Sequence, residues 1–330
     1  GFFLPLSGGA DSASTAAIVF AMCKLVMKEY SVGGNEQLKR DVRKVVGDGV
    51  VVRTAEELCN AVLHTTYMGT SNSSQQTLRR AGILASEIGC YHLNANIDSM
   101  VSSVIGVFTT ITNRRPAFQS AGGTSVEDLA LQNIQARMRM VLGYMMAQLL
   151  PWCRNRKGFL LVLGSGNVDE CLRGYLTKYD CSSADLNPIG SISKVDLKNM
   201  LKYAAVEYNL AILAEIVAAP PTAELRPNGV GEEHSQSDED DMGMTYEELG
   251  VFGRLRKISR CGPVSMYRKL LHHWPELTAK QVAEKVKRFF FYYSINRHKM
   301  TTVTPSYHAE AYSPDDNRFD LRPFLYDASW

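Results

Sequence analysis

Residues 2–12 read FFLPLSGGADS: an apolar run of strand length over 2–6, then Ser7-Gly8-Gly9-Ala10-Asp11-Ser12, opening an apolar helix predicted from about Ser12 to Tyr30. A glycine turn between a buried strand and a helix aims backbone N–H groups and the positive helix end at an anion, so phosphate is the expected occupant. This turn carries a carboxylate, Asp11, and no lysine. It is therefore not the phosphate loop that ends in G-K-[ST]. A carboxylate beside phosphate calls for a divalent cation between them, and Mg2+ takes one or two carboxylates plus phosphate oxygens. Pro5 counts against the strand, since it cannot donate to a ladder.

Working outward, residues 61–67 suit a second strand that ends in the polar loop 69–74. Ser73 and Gln76 form an S-x-x-Q capping box for a helix through Ile83 to Ile88. Residues 91–97 suit a third strand. Gly122-Gly123 and the box Ser125-x-x-Asp128 start a long helix, to about Leu150, whose apolar positions Ile134, Met138, Val141, Met145 and Leu149 recur every three or four residues. Residues 159–163 are an uninterrupted apolar run followed at once by Gly164-Ser165-Gly166. Strands alternating with helices give an α/β fold, a doubly wound and mostly parallel sheet flanked by helices. Open sheets of this kind bind ligands at the carboxyl ends of their strands. Glu170, reached from Leu163 through a short loop, is therefore expected to face the same crevice as Asp11.

Periodicity disappears over 174–193, and Ser193-x-x-Asp196 then caps a helix to about Tyr208. Residues 224–243 turn polar and acidic, with Pro227, Gly229 and Gly231, and read as a mobile loop in which Asp238 to Asp241 are solvated. Segments 246–261, 267–273 and 279–293 look helical, and the tail from Thr301 is irregular. The chain thus divides into a nucleotide-binding core over 1–223, the loop, and a C-terminal helical extension over 244–330.

Composition narrows the function. The 330 residues are 45% hydrophobic, enough for a sizeable core, and a net charge of +2 gives no reason to expect nucleic acid or a membrane surface as partner. No apolar run approaches the ~20 residues of a spanning helix. Seven scattered cysteines without a C-x-x-C pair argue against a disulfide framework or structural zinc, and point to a reducing, cytoplasmic setting. Lys285, Lys287, Arg288, Phe289, Phe290 and Tyr292 mix basic and aromatic residues as nucleic-acid surfaces do, but helical spacing turns the aromatics toward a core. Cys181 has no histidine close by in sequence to make it a nucleophile. The chain starts without Met, directly inside a strand, and reads as a fragment whose upstream part is missing.

The strand, SGGADS and helix together resemble the pyrophosphate loop of the N-type ATP pyrophosphatases. GSGNVDE, YLTKYDCSSADLNPIGSISK, PPTAELRP, NIQARMRM and NRHKMTT, in their order and spacing, are similar to the NAD synthetases, in particular the synthetase part of the eukaryotic glutamine-dependent enzymes. The likeness covers essentially the whole chain. It implies a Rossmann-like fold of the adenine nucleotide hydrolase type, with Ser7, Gly8, Gly9, Asp11 and Ser12 holding the ATP phosphates and Mg2+. Glu170 would be a second metal ligand, and Ser165, Lys194 and Thr222 would contact ATP. Asn133, Arg137, Lys178, Asp185, His298 and Lys299 would hold deamido-NAD. Ser165 stands where the family commonly has Thr, and keeps the hydroxyl.

Physical reasons stand beside several of these. Lys194 occupies the first turn of a capped helix, where a cation opposes the macrodipole by about 0.3–1 kcal/mol unless an anion is near. Asn133 and Arg137, four apart, share a helical face. The implied reaction adenylates the nicotinate carboxylate of deamido-NAD, releases pyrophosphate, and lets ammonia displace AMP, with Ser7, Asp11, Glu170 and Lys194 as its catalytic groups. An upstream nitrilase-type glutaminase domain would supply the ammonia, so this chain alone is expected to use ammonium and not glutamine. At least a homodimer is implied, through the long helix. The alternatives are another ATP pyrophosphatase, such as a GMP synthetase or a tRNA-modifying enzyme, and a non-catalytic nucleotide binder, for which the pair Asp11 and Glu170 would be superfluous.

Overall fold

The computed structural model describes residues 1–47, 50–227, 237–306, 311–313, 327–328 and 330. Strand β1 (Phe2–Pro5) leads through the glycine turn into α1 (Ala10–Val32), followed by α2 (Glu36–Val46) and α3 (Ala55–Val62). Strand β2 (Leu63–Gly69), α4 (Gln75–Glu87), β3 (Tyr91–Asn96), α5 (Asp98–Thr112) and α6 (Ser125–Cys153) come next. The core closes with β4 (Leu161–Val162), α7 (Val168–Arg173), α8 (Lys194–Glu207) and α9 (Ile212–Ala218). Helices α10 (Asp238–Met242), α11 (Tyr246–Gly253), α12 (Pro263–His273) and α13 (Ala279–Ile295) form the extension.

Among the described residues the strands make one parallel sheet in the order β3-β2-β1-β4. Successive residues of β1 point to opposite faces. Leu4 joins the core beneath α1, α3, α4, α8 and α9, whereas Phe3 joins Met68, Met140, Ala147 and Leu150 beneath α6. This is the doubly wound arrangement. Pro5 is tolerated because its missing donor faces β4: Phe3, two residues earlier, accepts from Leu163 N at 2.8 Å, and β4 pairing ends there. Leu6 N, facing the other way, bonds Thr66 O at 3.0 Å.

Several boundaries differ from the sequence reading. Residues 61–62 end α3 and do not begin β2. Ser74, not Ser73, caps α4, accepting from Thr77 N. The box on α6 is Thr124 with Glu127, one residue earlier than expected. The last strand shrinks to Leu161–Val162, its outer edge bonded by Asp185 and Leu186, with Phe159 left 69% exposed. Helix α1 meets the length and composition of a membrane span, contrary to the expectation that no run does, yet 56% of its most apolar window is buried in the fold. It is covered on both faces only in its first half, since Leu25 is 65% exposed.

The extension has a core of its own, centred on Phe252 stacked on Phe289 at 4.7 Å, with Met242, Leu249, Met266, Leu270 and Val286 around it. Each such side chain contributes about 1.5–3 kcal/mol on burial. Phe289 and Phe290 are buried, as helical spacing required. The centre of the expected acidic loop, 228–236, and most of the tail, 307–310, 314–326 and 329, lie outside the described residues.

Candidate active site

At the carboxyl ends of β1 and β2 lies a cleft lined by Ser7, Gly9, Asp11, Ser165, Lys194 and Thr222. The turn that opens it is held from within: Ser7 N and Oγ approach Ser12 Oγ at 3.2 and 3.0 Å, and Ser12 Oγ donates to Gly9 O. Gly9 caps α1 without a side-chain bond, leaving that helix end open to an anion. Gly8 has φ +79°, and a Cβ there would stand 2.3 Å from Thr77 O, a backbone atom. The turn therefore requires glycine at 8.

Lys194 is 3% exposed and its ammonium binds Asp11 Oδ2 while lying 3.6 Å from Glu170 Oε1. The two carboxylates expected to share a crevice therefore share one cation. Helix α8 aims Lys194 inward because Ser193 caps it and the Lys194 amide donates to Asp169 Oδ2 at 2.9 Å. Helix α7 presents Glu170 through an Asn167 cap, and Asn167 Nδ2 also donates to Asp11 Oδ1 at 2.8 Å. Tyr246 OH, at the start of α11, donates to Glu170 Oε1 at 3.1 Å, with its ring 5.1 Å from the Lys194 ammonium.

Burial, reinforced by the charge of Asp11, pushes Glu170 up to about 8. Burial also lifts Asp238 to about 6. Burial alone would lower Lys194, but the charges of Asp11 and Glu170 outweigh it and hold the ammonium above the ordinary lysine range. Among the described residues no group of three or more His, Cys, Asp or Glu side chains is disposed to hold a metal ion unaided. The oxygen donors Asp11 and Glu170 do fit a hard divalent cation whose other ligands come from phosphate.

Of the residues matched to ATP, Gly8 and Ser12 do not line the cleft: Gly8 shapes the turn and Ser12, buried, ties Ser7 to Gly9. For the second substrate, Asn133 Oδ1 accepts from Thr177 Oγ1 at 2.6 Å and Arg137 Nε donates to Lys178 O at 2.9 Å. Lys299 Nζ donates to Gly174 O and Leu176 O, both at 2.7 Å, and its burial lowers it to about 8. Asn133, Arg137, Lys178 and Lys299 thus converge on residues 174–178. Asp185 instead accepts from Val162 N at 2.8 Å beside β4, and His298 is exposed, with Nδ1 3.0 Å from Ile295 O.

Three contributors went unread in the sequence. Asn167 was legible in principle, since N-x-x-E is a capping pattern. Tyr246 had no local signal. Asp238, assigned there to a solvated run, is 7% exposed in α10, near Tyr175 OH at 3.3 Å and Tyr246 OH at 3.4 Å. Residues 224–226 are also tied down: Glu224 Oε2 accepts from Ser74 N and Thr77 Oγ1, Leu225 O accepts from Gln135, and Arg226 pairs with Asp128 and Asp241.

A family model described as NAD synthase matches residues 1–258. The glutamine-dependent NAD(+) synthetase of Saccharomyces cerevisiae is 59% identical over 330 residues, covering 98% of this chain and 46% of that protein. The Homo sapiens protein of the same name is 55% identical over 332 residues, covering 100% of this chain and 47% of that one. Among solved structures, a glutamine-dependent NAD(+) synthetase from Cytophaga hutchinsonii aligns with a TM-score of 0.76 at 26% identity, over 98% of this chain and 51% of that chain. The chain spans about half the length of these relatives.

Proposed function

The chain belongs to the NAD synthase family, and from that premise we propose that it amidates deamido-NAD to NAD at the expense of ATP. The observation that carries this reading is the buried Lys194 ammonium held by both Asp11 and Glu170 at the mouth of the glycine turn. A carboxylate is a poor acylating agent at neutral pH. Attack of the nicotinate carboxylate oxygen on the α phosphorus breaks the bond to pyrophosphate and makes an acyl adenylate. Ammonia then adds to the carbonyl carbon, loses a proton and expels AMP.

The protein's work is positioning and charge neutralisation. Ser7, Gly9 and the open end of α1 receive the phosphates, Ser165 and Thr222 line the nucleotide's cleft, and Lys194 offsets the charge on the departing diphosphate. Asp11 and Glu170 would hold Mg2+, which supplies Lewis-acid neutralisation of the phosphate oxygens. Asn133, Arg137, Lys178 and Lys299 gather at 174–178 and would bind deamido-NAD there, with Asp185 and His298 assigned to it by family resemblance.

The relatives' glutamine-dependent names and their greater length support a glutaminase partner that delivers ammonia; its nitrilase type follows from the family resemblance alone. A second copy of the chain is the proposed partner of α5 and α6. Helix α5 has no buried residue, and Val107, Phe108, Ile111, Val141, Met145 and Leu149 are exposed. Incubation with ATP, Mg2+, deamido-NAD and either ammonium or glutamine tests the reading. NAD, AMP and pyrophosphate in equal amounts, with ammonium alone, are expected. Pyrophosphate release indifferent to deamido-NAD, or efficient turnover with glutamine, would contradict it.

A further inference from the structure

Asn167 is fully buried and uses both ends of its amide. Its Oδ1 accepts from Asp169 N and Glu170 N, each at 3.0 Å, satisfying two otherwise orphaned donors of α7. Its Nδ2 donates to Asp11 Oδ1 at 2.8 Å, across to α1. Its backbone N–H lies 3.4 Å from Glu170 Oε2, closing the capping box. One side chain thus touches the helix that carries Glu170 and the carboxylate of Asp11 at once. The other oxygen of Asp11 is taken by Lys194.

We infer that Asn167 is a positioning residue that fixes the spacing of the two carboxylates, acting through Asp11 and not on substrate. The chemistry is selective. A planar amide presents an acceptor and a donor on opposite corners. Serine can cap α7 but cannot reach Asp11 with an N–H. Aspartate can cap α7 but turns an oxygen toward Asp11, replacing a charge-assisted bond by repulsion between like charges. Removing an outer partner of this kind typically costs about 10–100-fold in activity or ligand affinity.

Because the claim rests on the proposed reaction, the test has an arm that does not. In the unliganded protein, N167S is expected to lower the melting temperature, and to lower it markedly less when Asp11→Ala is already present, since the lost bond is then already gone. A residue that merely caps α7 would give the same drop in both backgrounds, and that result would overturn the inference. In the NAD-forming assay, N167S is expected to lower kcat about 10–100-fold while leaving KM for deamido-NAD within about twofold, and N167D to lower kcat further. Wild-type kcat in N167S would also overturn it. If the wild-type protein shows no turnover dependent on deamido-NAD, the proposed reaction fails, while the melting cycle still decides the role of Asn167.

Discussion

Lys194 sets what Asp11 and Glu170 are to one another, because a single buried ammonium makes two acids, distant in the chain, tolerable in one place. Replacing it with methionine leaves those acids facing each other in a low-dielectric site. Breaking a buried pair in this way costs about 3–5 kcal/mol. Urea unfolding of K194M is expected to show a loss of that size, and D11N added to K194M is expected to recover part of it. Asp11→Asn by itself keeps the side-chain shape but removes the charge, so NAD formation should fall by at least about 100-fold while circular dichroism stays that of the wild type. Wild-type rates in D11N would remove Asp11 from the proposed metal site. Asp11 could be singled out from its place in a glycine turn, and Lys194 from a cap. Tyr246 and Asp238 could not, because their role depends on α10 and α11 folding back over α7, which no local pattern encodes.

The turn between β1 and α1 depends on one backbone angle. Gly8→Ala forces a Cβ against Thr77 O at a positive φ, and a loss of about 1–3 kcal/mol with weakened ATP binding is expected, read by thermal melting and titration. At the opposite end of the sheet, Arg154, just past α6, donates to Asn60 O, beside the end of α3, and to His64 Nε2 at 2.8 Å each. Burial, with Arg154 and Arg156 adding repulsion, lowers His64 to about 3. The unfolded chain takes up that proton near pH 6.5, so the folded state loses about 1.4 kcal/mol per pH unit as pH falls from about 6.5 toward 3. Glu170 and Asp238, both raised in the fold, act in the opposite sense over much of that range, so His64 is read by difference. Wild type should lose melting temperature relative to His64→Asn as pH falls from about 6.5 toward 3, and parallel profiles would refute this. Helix starts were legible to within a residue at α4 and α6. Adjacent hydroxyls, Ser73 and Ser74 or Thr124 and Ser125, offer equivalent caps in sequence, and the packed geometry selects one.

At the scale of the whole molecule, the stripe Val141, Met145 and Leu149 lies on the outer face of α6, while Leu131, Met140, Ala147 and Leu150 bury the inner one. If a second copy covers that outer face, the chain should sediment as a dimer and the double variant V141K/M145E as a monomer with an unchanged melting profile at low concentration. A monomeric wild type would end the proposal. Periodicity identified the helix but could not say which stripe meets the sheet, because two apolar faces have the same spacing. The amino-acid sequence by itself determined the alternation of strands and helices, the glycine turn with its acid, and the family to which these belong, since all are local or ordered along the chain. Only the tertiary structure decided that Asp11, Asn167, Glu170, Lys194, Asp238 and Tyr246 meet in one place. Their juxtaposition is fixed by helices packing on a twisted sheet, and electrostatic coupling depends on distance through space, which sequence separation does not record.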